Sequence, residues 1–265
     1  MPSPRFVQPY RRGIAARGLL MTEVDRPRVA LVTGGAMRVG RALTLGLAAA
    51  GYDVAINYHR SRAKAITAAQ AVEALGRRAI VLPGDVSKSP EVEGIADRVE
   101  AEFGRLDLLV NNASLFEGGP LLEVTEQDWD RVMAVNLKGP FLMVKATANL
   151  LTRSSGQVVN LVDLSAFQPW VEHPHHSVSK AGLLQLTRVM ARALAPHVRV
   201  NAIAPGAVLL PKSDDEERQE RPREQSPLGT LGSAEDVVRT VLFLERSPFI
   251  TGEVIVVDGG RLLGQ

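Results

Sequence analysis

Residues 28–40 read RVALVTGGAMRVG. The run from Arg28 to Val32 is short, apolar and rich in Val and Leu, so it reads as a strand. It enters a turn holding Gly34, Gly35 and Gly40, and an apolar helical run follows, RALTLGLAAA. A strand that passes through glycines into a helix brings backbone N–H groups to a helix N-terminus, where a pyrophosphate is favourably held. Such turns also occur as plain connections, so their meaning depends on what surrounds them.

What surrounds this one is an alternation of strand and helix patterns. After RVALVTG come DVAINYH, AIVLPGD, LDLLVNN, QVVNLVD, VRVNAIAP and EVIVVDGG, most of them apolar on both faces, as expected of parallel strands covered by helices on each side. Thr125 before EQDWD and Ser233 before AEDVV read as helix N-caps. The expectation is an α/β protein: one Rossmann-type doubly wound domain over residues 28–265, its seven-stranded parallel sheet flanked by helices and its ligands outside the carboxyl ends of the strands. Residues 1–27 carry arginines and no acid before Glu23, and are expected to be a disordered extension. A transit peptide shares that character, and Met21 offers an alternative start close to the first strand. The polar segment 211–229, PKSDDEERQERPREQSPLG, is expected to be a mobile lid over the substrate.

Composition narrows the function classes. Of 265 residues, 45% are hydrophobic and 23% charged, which suits a globular chain with a sizeable core. No apolar run is long enough for a bilayer, and a net charge of +2 gives no argument for nucleic acid. The absence of cysteine removes disulfides and thiolate chemistry and fits a reducing compartment such as the cytoplasm.

The second strand ends in NYHRSRAK, where a site for an unphosphorylated ribose usually places an acid. His59, Arg60 and Ser61 offer donors and positive charge there instead, with Arg38 and Arg62 adding to the field, so the expected cofactor is NADP(H). Further on, HPHHSVSK at 173–180 places His176 and Lys180 on one helix face. His173, His175 and His176 do not make a metal site, because Pro174 interrupts the helical spacing and no carboxylate pattern accompanies them.

TGGAMRVG, NNASLF, Asn136, the strand-end Asp163, Lys180, the AIAPG run and the final VVDGG occur in one order at consistent spacing. Over about residues 28–260 the chain resembles the short-chain dehydrogenase/reductase family. Arg38 in the glycine motif, YHRS, NNASLF and an aspartate at 163 resemble the pteridine reductases within it. The resemblance implies that Gly34, Arg38, Val39 and Gly40 meet the cofactor pyrophosphate, that Asp85 and Val86 border the adenine, and that Asn112 and Ala113 line the cofactor. It also implies that Asn136 helps hold a proton-relay water, Lys180 binds the nicotinamide ribose, and Pro205 and Gly206 border the nicotinamide. Ser114, Phe116 and Trp170 fall where substrate is contacted. A homotetramer built on two long helices, about 126–151 and 176–195, is implied as well. One departure stands out: the family's tyrosine, four residues before the lysine, is replaced by His176, and the only tyrosines are Tyr10, Tyr52 and Tyr58. Asp163 and His176 are therefore the expected proton-handling pair, with His176 as the acid. Three readings follow: an NADPH-dependent reductase of a pterin-type small molecule, a carbonyl or 3-oxoacyl reductase, or a catalytically silent NADP(H)-binding protein.

Overall fold

The computed structural model describes residues 27–208 and 223–264. The extension expected at 1–27 lies outside them apart from its last residue, as does most of the segment expected as a lid. Seven strands among the described residues form one parallel sheet in the order β3-β2-β1-β4-β5-β6-β7. They are β1 Arg28–Val32, β2 Tyr52–Tyr58, β3 Ala79–Pro83, β4 Leu108–Asn111, β5 Gln157–Leu161, β6 Arg199–Pro205 and β7 Val254–Val257. Every residue of β2, β4 and β5 is buried, which is why these strands read as mostly apolar and not as a regular alternation; Asp53, Asn57, Asn111, Gln157 and Asn160 are their buried polar members.

The helices are α1 Arg38–Ala49, α2 Arg62–Ala74, α3 Ser89–Phe103, α4 Glu126–Met133, α5 Gly139–Arg153, α6 Pro174–Leu194 and α7 Ala234–Glu245. Leu43 and Leu47 of α1, Ala65, Ala68 and Val72 of α2, and Val237, Val241 and Leu244 of α7 share one core with Val32, Val54 and Ile56 of the sheet. Val92, Ile95 and Val99 of α3, Met143 and Leu150 of α5, and Met190 of α6 belong to a second, with Val29, Leu31, Leu109 and Val158. Both predicted caps are present: Thr125 accepts from the Asp128 N–H, and Ser233 forms a reciprocal box with Asp236.

The single helix expected over about 126–151 is interrupted. Residues Ala134–Lys138 form a π-helical turn between α4 and α5, in which the Gly139 N–H reaches back five residues to the Ala134 carbonyl. Pro140 follows at the start of α5 and lacks the N–H that a regular α-helix would donate to the Asn136 carbonyl, so the helix widens there. This turn holds Asn136, a residue of the site, in a buried position.

The order of strands reverses between β1 and β4, which opens a crevice at their carboxyl ends. Gly34 has φ +61°, and a Cβ on Gly40 would stand 2.2 Å from the Gly34 carbonyl oxygen. Alanine at 40 must therefore push α1 off the turn. Gly40→Ala should lose about 1–3 kcal/mol in urea unfolding. Gly94→Ala, in α3 with nothing within 4 Å of the added carbon, should gain about 0.5–1 kcal/mol. Equal effects at the two positions would show that helix propensity and not the close approach governs Gly40.

Candidate active site

Thr33, at the end of β1, joins the two sides of the crevice. Its N–H donates to the Val110 carbonyl, and its hydroxyl oxygen accepts from the N–H groups of Asn112 and Ala113, both at 3.0 Å. The Asn112 side-chain amide returns two bonds, to the carbonyls of Thr33 (2.8 Å) and Gly34 (3.3 Å). Asn57, from β2, donates to the carbonyls of Leu82 and Gly84 and ties in the third strand end. Because the backbone groups of the turn are anchored in this way, Gly34, Arg38, Val39 and Gly40 present the N-terminus of α1 to the crevice, where the helix dipole favours an anion. The close approach of α1 to the turn at Gly40, which leaves the helix start bare of side chain there, and the absence of acidic residues from the first turn of α1 both fit a dinucleotide phosphate.

His59 and Arg60 are exposed just beyond β2, and Ser61 precedes α2. Lys64 Nζ lies 3.2 Å from Met37 Sδ, so the start of α2 runs alongside the glycine turn and the basic groups of both segments flank one rim. Burial opposes the charge of Asp85, yet hydrogen bonds from Ser87 and the nearby His59 and Lys88 hold its carboxyl below the usual carboxylate range. Val86 is buried beside it. Across the sheet, Pro205 ends β6 and the Gly206 N–H donates to the Val257 carbonyl.

On the other wall of the crevice, α6 starts with Pro174 at its first turn, where the missing N–H costs nothing, and aims His176 and Lys180 at the end of β5. His176 Nε2 lies 2.7 Å from Asp163 Oδ2, and Nδ1 lies 3.0 Å from the Leu115 carbonyl. The other Asp163 oxygen accepts from the Ser165 N–H (2.9 Å) and hydroxyl. Lys180 Nζ donates to the Leu161 carbonyl at 2.8 Å. Burial pushes the Lys180 ammonium below its usual range while Asp163 pulls against that shift. Asp163 is subject to the same contest: burial disfavours its charge, but His176, Lys180 and Ser165 together hold its carboxyl below the usual carboxylate range.

Around the pair, the Asn136 amide donates to the Leu115 carbonyl (2.9 Å) and to Ser179 Oγ (3.0 Å), and its nitrogen lies 3.4 Å from His176 Nδ1. The two His176 nitrogens thus lie against a backbone carbonyl and the Asp163 carboxylate. Only 2% of the His176 side chain is exposed, against 20% for Asp163, so the carboxylate is the member of the pair that faces the crevice.

Both His176 nitrogens are engaged inside the protein, so the ring expected as the acid points no N–H at open space. The Asn136 side chain is engaged as well: its amide oxygen accepts from the Leu115 N–H and the Ser114 hydroxyl. Phe116 and Trp170 lie together, with ring centres 6.2 Å apart and edge to face. Phe116 also stacks on His173 at 4.2 Å, a neighbour that sequence reasoning missed, and stands edge-on to His176. Sequence reasoning also missed Ser165, although an aspartate two residues before a serine is a recognisable Asx-turn pattern. The Leu115 carbonyl carried no signal, since any residue supplies one. Among the described residues, no group of three or more His, Asp or Glu side chains could hold a metal ion. No helix among them is long and apolar enough to cross a membrane.

Since Asp163 keeps its charge below the ordinary value of about 3.9, its contribution to stability is complete above about pH 4 and drains as pH falls through the depressed folded value. Asp163→Asn should cost about 1.5–3 kcal/mol at pH 6.5, and the gap to wild type should narrow at pH 3.5. A gap of the same size at both pH values in urea titrations would mean that the charge of Asp163 does not stabilise the fold.

Comparisons with known proteins give the family. The family model described as Enoyl-(Acyl carrier protein) reductase matches residues 34–261. The 3-oxoacyl-[acyl-carrier-protein] reductase FabG of Staphylococcus aureus is 37% identical over 240 residues, covering 88% of this chain and 98% of the relative. The 2-dehydro-3-deoxy-D-gluconate 5-dehydrogenase of Escherichia coli is 37% identical over 245 residues, covering 89% and 95%. The crystal structure of acetoin dehydrogenase from Enterobacter cloacae superposes with a TM-score of 0.83 at 32% identity, covering 91% of this chain and 98% of that one. These relatives are named as reductases and dehydrogenases, and none of them is a pteridine reductase, the group that YHRS and NNASLF resemble. The fold, the crevice and the extent of these matches together make the chain a member of the short-chain dehydrogenase/reductase family, nicotinamide-dependent oxidoreductases.

Proposed function

We propose that the protein is an NADPH-dependent reductase of a ketone or 3-oxoacyl-type carbonyl, in which the Asp163–His176 pair takes the part the family gives to tyrosine. The observation that carries the reading is the 2.7 Å contact between His176 and Asp163, at the crevice wall that also holds Lys180. Gly34, Arg38, Val39 and Gly40 would hold the cofactor phosphates, and Arg60 and Ser61 its 2′-phosphate. Asn112, Ala113, Pro205 and Gly206 would line the rest, with Lys180 on the ribose. When bound, NADPH supplies hydride to the carbonyl carbon. Asp163, the exposed member of the pair, would take a proton from His176 Nε2 and pass it to the developing alkoxide, which leaves the imidazole ring neutral and Asp163 ionised as before. Proton count and charge then balance: the carbonyl gains one hydride and one proton. His176, held by the Leu115 carbonyl, is the proton reservoir behind the acid.

A second reading, reduction of a pterin C=N bond, is favoured by one observation. The exposed Phe116 ring, stacked on His173 and edge-on to Trp170 and His176, gives this side of the crevice an aromatic surface suited to a heterocycle. Following NADPH oxidation with an acetoacetyl thioester, simple ketones, dihydropterin and dihydrofolate separates the two. The thioester or ketone should turn over fastest. Turnover of dihydropterin alone reverses the order, and tight NADPH binding without turnover on any substrate leaves a silent binding protein.

Asp163→Asn should lower kcat about a hundredfold or more with little change in the affinity for NADPH. His176→Phe should lower kcat in the same direction, and an unchanged kcat there would remove the reservoir role. For the cofactor, Arg60→Asp should weaken NADPH binding tenfold or more, since a charge-assisted phosphate contact contributes about 1.5–3 kcal/mol, and should leave NADH little affected. Equal binding of both cofactors by wild type would overturn the preference. We also propose a homotetramer, for which the apolar hollow lined by Met133, Leu137, Phe141 and Leu186 on α4, α5 and the turn between them, together with α6, is the contact face. Light scattering on a Phe141→Glu variant should show a smaller particle.

A further inference from the structure

Ser165 holds one oxygen of Asp163 from two directions. Asp163 caps the short turn Leu164–Ala166, and its Oδ1 accepts from both the Ser165 N–H, at 2.9 Å, and the Ser165 hydroxyl. Ser165 is only 3% exposed, so little solvent competes for that hydroxyl, and its one hydrogen goes to Asp163. The other oxygen, Oδ2, lies 2.7 Å from His176 Nε2. The two oxygens of one carboxylate are thus made unlike: Oδ1 is turned into its own chain, and Oδ2 faces the ring that supplies the proton.

A carboxylate oxygen has two lone pairs, and one that accepts two donors has none left for a proton. A proton that leaves Nε2 therefore settles on Oδ2. The N–H bond at Nε2 breaks as an O–H bond forms at Oδ2. That O–H bond breaks in turn as the proton joins the alkoxide, which leaves the ring neutral and Asp163 ionised. The two bonds from Ser165 also fix the rotation of the carboxylate: with Oδ1 pinned, Oδ2 is kept against the ring. Burial disfavours the charge of Asp163, while His176, Lys180 and the Ser165 hydroxyl counter it, so the carboxyl releases a proton readily once it has one.

We propose that Ser165 is a positioning residue for the reduction: by pinning Oδ1 it keeps Oδ2 as the oxygen through which the proton passes from His176 to the substrate. The role rests on the reductase reading of the Asp163–His176 pair, and Ser165 reaches the reacting atoms only through Asp163. The titratable groups that act on this carboxylate beside Ser165 are His176 and Lys180 of α6 and His173 at its start. Of these, only His176 touches the carboxylate, and it does so at the oxygen that Ser165 leaves open.

The test compares Ser165→Ala, which deletes the hydroxyl donor, with Ser165→Thr, which keeps it, in the full chain. On the carbonyl that wild type reduces fastest, Ser165→Ala should lower kcat about tenfold, as the loss of a hydrogen bond to a charged group does. KM and the dissociation constant for NADPH should change less than about twofold. Ser165→Thr should recover most of the lost kcat. The solvent deuterium isotope effect on kcat should be larger in Ser165→Ala than in wild type, because proton transfer then limits turnover. A further measurement needs no turnover. With the histidine rings isotopically labelled, the His176 Nε2–H proton should move to lower field in Ser165→Ala, since a carboxylate with one donor fewer accepts more strongly from the ring. An unmoved Nε2–H signal overturns the role, as does a folded Ser165→Thr no faster than Ser165→Ala. So does a fall in kcat matched by equal changes in KM and NADPH affinity. A wild type that reduces no carbonyl overturns the reductase reading and this role together, whereas an active wild type with a fully active Ser165→Ala overturns this role alone.

Discussion

Thr33 and Asn112 close the seam on which the rest of the site depends. The sheet order reverses at β1 and β4, and two strands that diverge in their connections must still be held side by side at their carboxyl ends. One hydroxyl that accepts two N–H groups, and one amide that returns two bonds to carbonyls, accomplish this without a long side chain. With the seam shut, the Gly34–Gly40 approach has a fixed geometry, α1 points its N-terminus at the crevice, and the segment after Ala113 leaves at a defined angle toward the substrate side. Buried backbone groups at such a junction must be paired, and here most of the partners come from side chains within three residues of the strand ends.

The opposite wall is governed by a buried pair. Burying a carboxylate beside an imidazole costs more than their contact returns unless the remaining polar groups are also satisfied. Here they are: Ser165 supplies two donors to one Asp163 oxygen, and the Leu115 carbonyl lies 3.0 Å from His176 Nδ1. Asn136, buried on the π-turn, fixes that carbonyl by bonding both the N–H and the C=O of Leu115. The pair is oriented so that its less buried member faces the crevice.

The loop between β4 and α4 serves as a partition. Its first residues belong to the active site through Ser114, Leu115 and Phe116, and the next ones, from Glu117 to Pro120, form a wall of a separate cleft beside α4 and the start of α6. The Gly119 N–H bonds to the Glu172 carbonyl, which fastens the loop to the residues just before α6. Consecutive histidines at the start of α6 therefore lie on different sides of the loop, His176 against the crevice wall and His175 against the cleft.

The order of elements was legible in the sequence because each is decided locally. Strands buried on both faces show as mostly apolar runs, Thr125 and Ser233 announce their helices through cap chemistry, and RVALVTGGAMRVG joins strand, turn and helix within thirteen consecutive residues. Part of the site was legible for the same reason: His176 and Lys180 are one helical turn apart, and Asp163 closes a strand. The rest depended on groups that carry no identity in the sequence or that meet only across long separations. A backbone carbonyl at Leu115 meets a histidine ring nitrogen 61 positions away, and Asn136 reaches Ser179 over 43. The widened helix at 134–138 depends on a proline whose effect falls on the carbonyl four residues earlier. Sequence determined which side chains were available to move a proton, and tertiary packing decided which of them faces the substrate, because exposure is a property of the assembled walls and not of any residue in them.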